Sequence, residues 1–160
     1  MFSNKVINKS VNTSNFGNFL KSLILLMKPR VMSLVVFTSA VGLLTSPNTI
    51  PLLNALMSIF FVTLGAGAAG ALNMWYEADL DKLMTRTCLR PIPTGKINKQ
   101  QALIFGIVLS IISIYGLYYF SNFLSAFLLF VTIAFYLFVY TIWLKRKTPQ
   151  NIVIGGAAGA

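Results

Sequence analysis

A chain of 160 residues that is 56% hydrophobic and only 10% charged, with a mean hydropathy of +0.76, is not a soluble domain. Thirteen Lys/Arg against three Asp/Glu give a net charge of +10. The cations lie in three blocks between apolar runs, so the basic total is not a nucleic-acid patch. With no His and a single Cys, Cys88, the chain makes no internal disulfide.

Residues 1–27 are basic, acid-free and Ser/Asn-rich at the start, and they are expected to form a mostly flexible cytoplasmic segment. They lack the early apolar core of a secretory signal, and 1–19 lack the arginines of a mitochondrial presequence. Residues 28–160 then read as a transmembrane domain. A helix needs about 20 apolar residues to cross a hydrocarbon core of roughly 30 Å. Val31–Ser46 is a first span, short unless it borrows Leu23–Met27, and Pro29 belongs in its first turn. After a tight uncharged return at Ser46–Thr49, a second helix runs Leu52–Asp81, longer than a bilayer requires, so its last turns emerge carrying acids. The prolines of Arg90-Pro91-Ile92-Pro93-Thr94-Gly95 forbid continuous helix. Spans three and four, Gln101–Phe120 and Phe123–Leu144, form a hairpin through Ser121-Asn122. Thr148-Pro149 breaks the chain, and Asn151–Ala160 starts a fifth apolar stretch. The expected fold is all-α, a polytopic helix bundle of four full spans plus the start of a fifth. None of the runs has the alternating polarity of a membrane β-strand.

With four spans, every cation falls on one side of the membrane, and cation bias makes that side cytoplasmic. The expected location is the cell inner membrane, or else the mitochondrial inner membrane with the basic side in the matrix.

The three acids, Glu77, Asp79 and Asp81, lie within five positions at the end of an apolar run. A carboxylate costs roughly 2.5–3.5 kcal/mol at the centre of a spanning helix and less towards its ends. Asn73, Glu77 and Asp81 follow i, i+4, i+8, a single polar stripe in a helix, whereas Asp79 points to the other side. One carboxamide and two carboxylates suit Mg²⁺, which prefers oxygen and commonly bridges to phosphates. Arg86 and Arg90, again four apart, suit bidentate phosphate binding. An incomplete Mg²⁺ shell beside two arginines describes a diphosphate site.

Blander readings compete. The acids could serve only as partners for Lys82 or Arg86, and Trp75 and Tyr76 could be interfacial belt residues. Gly65-Ala66-Gly67-Ala68-Ala69-Gly70 reads as a surface for close helix packing rather than a phosphate loop, because it lies mid-helix. Aromatics of the fourth span (Phe127, Phe130, Phe135, Tyr136, Phe138, Tyr140) read as packing or lipid-facing rather than substrate wall, and Cys88 as incidental.

The pattern Asn73-xxx-Glu77-xx-Leu80-Asp81-xx-Met84-x-Arg86-Thr87-xx-Arg90-xxxx-Gly95 resembles the signature of the UbiA-type intramembrane aromatic prenyltransferases. Three stretches resemble the protohaem IX farnesyltransferase (haem O synthase) branch: Lys28-Pro29-Arg30, Asn73-Met-Trp-Tyr-Glu77-Ala-Asp79, and the run from Tyr140 to Gly156. The resemblance implies a larger all-α bundle and transfer of a farnesyl group from farnesyl diphosphate to a vinyl group of haem B. It implies Mg²⁺ held by Asn73, Glu77 and Asp81, with Asn73, Arg86, Arg90 and Lys82 on the diphosphate. Asp81, Arg86 and Arg90 would then be the residues closest to catalysis.

The family carries a second acidic motif, and no Asp or Glu follows Asp81 here. The resemblance therefore covers the N-terminal half of the family's length. Alone, the chain is expected not to make haem O and to need a C-terminal half or self-association. Three alternatives stand beside this reading. One is a prenyltransferase of the same superfamily with another aromatic acceptor, and another is a non-catalytic membrane fragment. The third, an ion pathway, is disfavoured because the acids cluster at one membrane face.

Overall fold

The computed structural model describes residues 16–47 and 50–144. They form five α-helices: α1 Phe16–Leu26, α2 Pro29–Leu44, α3 Leu52–Asp81, α4 Lys99–Phe120 and α5 Phe123–Ala134. A π-helical segment, Phe135–Leu144, continues α5. No strand occurs among the described residues. The expected Lys145–Lys147 cluster and the fifth apolar stretch lie outside them.

Three helices are long and apolar enough to cross a membrane: α3, α4 and the run 123–143. The first span differs from expectation. It is a broken pair, α1 and α2, bent by 57°. The sixteen residues of α2 rise only about 24 Å at 1.5 Å per residue, short of the roughly 30 Å core. Pro29 sits at the start of α2, as its missing N–H predicts. The segment 1–27 is described from residue 16 onward, and there it is helix, with Ser22 and Leu26 buried.

Local signals set the helix ends. Asn98 and Gln101 form a capping box at the start of α4, with the Asn98 N–H donating to Gln101 Oε1 at 3.0 Å. The Ser125 N–H donates to Asn122 Oδ1 at 2.7 Å, which caps α5. Between α3 and α4, residues 82–98 fold as successive turns. The last of these needs Gly95, at φ 73°, where other residues are strained.

The long helix α3 is the axis of the bundle. Its thirty residues rise about 45 Å, well beyond the hydrocarbon core. It runs antiparallel to α4, with Phe61 against Gly116, Leu72 against Gly106 and Asp79 against Lys99. It runs parallel to α5 and its π-helical continuation, with Gly65 against Leu129 and Asn73 against Thr141. The small-residue tract does the packing expected of it. A Cβ on Gly67 would stand 2.5 Å from Met27 Cε, and one on Gly70 would stand 3.2 Å from the Met27 carbonyl. The bend between α1 and α2 is thus seated directly on the α3 glycines.

Two apolar clusters follow. Leu26, Ala71, Met74, Ala78, Ile92, Ile97 and Ala102 pack beneath the turns after α3, with Trp75 against them. Leu72, Leu117, Leu129 and Ile133 join α3, α4 and α5 deeper in the bundle. Outward faces are apolar: Ile104, Ile107 and Ile111 of α4, and Phe127, Phe130 and Phe138 of the last span, are exposed, as lipid contact requires.

Close packing at glycine gives a stability prediction. A Cβ on Gly116 would lie 2.3 Å from the Phe61 ring, which itself stacks on Phe120. Gly116→Ala should cost about 1–3 kcal/mol through overpacking. Gly42→Ala, with no atom within 4 Å of the new Cβ, should be neutral or gain up to about 1 kcal/mol of helix propensity. Thermal melting of both variants in detergent, followed by fluorescence-detected size exclusion, reads the difference.

Candidate functional site

The last three turns of α3 present the polar stripe inward. Asn73 is 1% exposed, Glu77 5% and Asp81 3%. Asp79 points the other way and forms a surface pair with Lys99 at 2.9 Å. Helical periodicity alone separates the three inward groups from the outward one.

Cations from outside α3 meet this stripe. Arg90 Nη1 donates to both carboxylate oxygens of Asp81, at 2.9 and 2.7 Å. One nitrogen thus serves both oxygens, and the guanidinium's remaining N–H groups are left for other acceptors. Thr87 Oγ1 donates to the Asp81 carbonyl at 3.2 Å, which ties the loop back to the helix end. At the other end of the stripe, Lys28 Nζ donates to Asn73 Oδ1. Asn73 Nδ2 donates to Thr141 Oγ1 at 3.2 Å, and Thr141 Oγ1 donates to the Tyr136 carbonyl at 2.9 Å. Asn73 is therefore fixed from both sides, by the α1–α2 bend and by the π-helical segment.

The two arginines are not one helical pair. Residues 82–90 are turns, with Cys88 N–H donating to the Met84 carbonyl at 2.9 Å and Arg90 N–H to the Thr87 carbonyl at 3.0 Å. Arg90 is half-buried on Asp81, whereas Arg86 and Lys82 are exposed on the same loop. The helix has already ended at Asp81, and Pro91 keeps Arg90 from rejoining one. Cys88 is half-buried, its thiol against the Thr85 carbonyl.

Above the stripe lies an apolar cleft of about 690 Å³ between α2, α3 and α5. Val31 and Val35 of α2, Val62 and Ala66 of α3, and Leu128 and Leu129 of α5 line its length. Lys28 and Tyr136 stand at the end nearest Asn73, and Ser121 and Ser125 at the other. Tyr136 stacks on Tyr140 with ring centroids 5.0 Å apart. The aromatics of the last span therefore divide: Phe123, Phe127, Phe130 and Phe138 face out, while Tyr136 faces the cleft.

The donor set is all oxygen, two carboxylates and a carboxamide on one buried face, which fits a hard divalent cation. Among the described residues no three Asp, Glu, His or Cys side chains form a metal-holding group. The α3 donors thus make only part of a coordination shell. Sequence reasoning passed over Lys28 and Thr141 as site residues. Lys28 appeared only as part of a motif, and Thr141 reaches Asn73 through a π-helical register that apolar periodicity does not reveal.

Comparison with known proteins decides the family. Residues 34–160 match the UbiA prenyltransferase family. The chain belongs to that family. It is 66% identical over its whole length to a protein named "Protoheme IX farnesyltransferase" from Pelagibacter ubique, of which it covers 52%. It is 62% identical over 135 residues to "Protoheme IX farnesyltransferase 2" from Mesorhizobium japonicum, covering 43% of that protein. With the Bartonella henselae "Protoheme IX farnesyltransferase" it shares 59% over 137 residues. The chain spans about half the length of the curated relatives it matches. No solved structure matches it.

In this UbiA-family chain the Arg90–Asp81 and Lys99–Asp79 pairs should differ sharply in energetic weight. Arg90→Met leaves the Asp81 carboxylate buried without its guanidinium and should cost on the order of 3 kcal/mol. Lys99→Met breaks only an exposed pair and should cost less than about 1 kcal/mol. Thermal denaturation of the two variants side by side checks this.

Proposed function

We propose that the chain forms part of a prenyltransferase that moves a farnesyl group from farnesyl diphosphate to haem B, giving haem O. The observation that carries this reading is the juxtaposition at one end of α3. A buried stripe of Asn73, Glu77 and Asp81 lies beside one end of an apolar cleft running along the span, where Lys28 both lines the cleft and bonds Asn73. A diphosphate with a long apolar tail matches both halves of that surface. The haem acceptor rests on the names of the relatives, one of which is 66% identical to this chain.

In this reading Asn73, Glu77 and Asp81 hold Mg²⁺, and Arg86, Arg90 and Lys82 bind the diphosphate. The metal, when bound, neutralises charge that builds on the departing diphosphate. Arg90 is held by Asp81 on the loop above the site, and its unused N–H groups are available to the diphosphate oxygens. Arg86 and Lys82 sit exposed on the same loop, able to approach from the aqueous side. Cleavage of the allylic C–O bond leaves the electron pair on the diphosphate and a cation on the farnesyl carbon. The cleft walls keep water from that carbon until the acceptor vinyl group adds to it; a water molecule then captures the cation left on the haem side chain, becoming its hydroxyl with loss of a proton.

The basic end of the bundle, with Lys28 and the 82–98 loop, is assigned to the cytoplasmic side of the inner membrane from cation placement.

Binding should separate the acids. With the chain in nanodiscs, Asp81→Asn and Glu77→Gln should each weaken Mg²⁺-dependent farnesyl diphosphate binding by about tenfold or more. Asp79→Asn, exposed on the other face, should change it less than about twofold. Arg86→Lys and Arg90→Lys should both weaken binding although charge is kept, because a planar fork is lost. Asp79→Asn as the most damaging substitution would overturn the ligand assignment.

A further inference from the structure

Lys28 stands at an unusual place. It is the one non-glycine described residue with positive φ, at φ 55° and ψ 68°, and it occupies the bend between α1 and α2. Glycine adopts that conformation freely, whereas a lysine there is strained and persists only when its surroundings enforce it. The enforcement is visible: Met27 is wedged on Gly67 and Gly70 of α3, and the Lys28 ammonium is bonded to Asn73 Oδ1. A bend alone would be better served by glycine, so the side chain is the reason for lysine. Among the described residues lining the apolar cleft, Lys28 is also the one that carries charge.

Its position creates a conflict. The oxygen it holds is one that the proposed function gives to a divalent cation, and an ammonium and a dication on one oxygen repel strongly in a poorly solvated site. The side chain has a flexible four-carbon stem and a compact charge, which lets the head group move while the backbone stays wedged. Resting on the diphosphate reading above, we propose that Lys28 is an exchangeable counter-ion of the site. It saturates Asn73 Oδ1, yields that oxygen to the divalent cation, and turns to the diphosphate oxygens at the cleft mouth. Charge is then balanced throughout: the residue that opposes the metal is the one that receives the anion.

The exchange predicts effects of opposite sign from one substitution. Lys28→Met keeps side-chain bulk and removes the charge. With the full chain in neutral-lipid nanodiscs and no organic ligand, Mn²⁺ binding read by electron paramagnetic resonance should tighten about tenfold or more. Farnesyl diphosphate binding in Mg²⁺ should weaken about tenfold. Farnesol, which has the tail without the anion, should bind as to the wild type and so reports an intact cleft. Lys28→Arg should recover most of the diphosphate affinity. Any pattern in which the Mn²⁺ and diphosphate affinities move together, or either stays unchanged, overturns the exchange. A wild-type chain that binds farnesyl diphosphate no better than farnesol overturns the diphosphate reading itself, and the exchange with it.

Discussion

Burying acid groups on a membrane helix is the constraint on which the rest of this molecule depends. Glu77 and Asp81 lie at the end of a run that must also cross lipid, and a lone carboxylate there would be costly. Cations from outside α3 meet the polar stripe that carries these acids. Arg90 reaches Asp81 from a proline-bounded loop, and Lys28 reaches Asn73 from the bend before α2. Each cation needs its own backbone device: Gly95 in the left-handed region to fold the loop, and a strained residue 28 to direct the ammonium.

Those devices work because α3 is stripped of bulk where its neighbours approach. Glycines 65, 67 and 70 admit Leu129, Met27 and the Met27 carbonyl. The same close approach brings Thr141 and Lys28 within bonding distance of Asn73. Helix packing and site assembly are thus one event. A side chain added to the small-residue face would move the polar groups as well as the helices. The apolar cleft lies beside this face, so its mouth and the polar stripe are positioned by the same contacts.

Much of this was legible in the sequence, and the misses have physical causes. Helix identity, the length of α3 and the division of Asp79 from the inward stripe follow from hydropathy and a 3.6-residue period, which local sequence carries directly. The packing role of the glycine tract followed from its mid-helix place. Pro29 marked the start of α2, but the helix α1 before it and the bend between them were not legible, because Lys28 carries none of the glycine signal that a left-handed residue usually gives. The pairing of Asn73 with Lys28 and Thr141 spans 45 and 68 residues, a separation that no local periodicity encodes. Arg86 and Arg90 would stand one above the other only if helical, and residues 82–90 fold as turns instead.

The central claim is that the cleft between α2, α3 and α5 holds an isoprenoid tail whose anionic head lies at the α3 stripe. Photo-crosslinking tests it most directly. A farnesyl diphosphate analogue with a diazirine in the tail is bound to the chain in nanodiscs, irradiated, and mapped by mass spectrometry. Labelling should fall on cleft-lining positions such as Val35, Val62 and Leu129, and unlabelled farnesyl diphosphate should suppress it. Labelling spread over the exposed α4 face at Ile107 and Ile111, indifferent to competitor, would contradict the account.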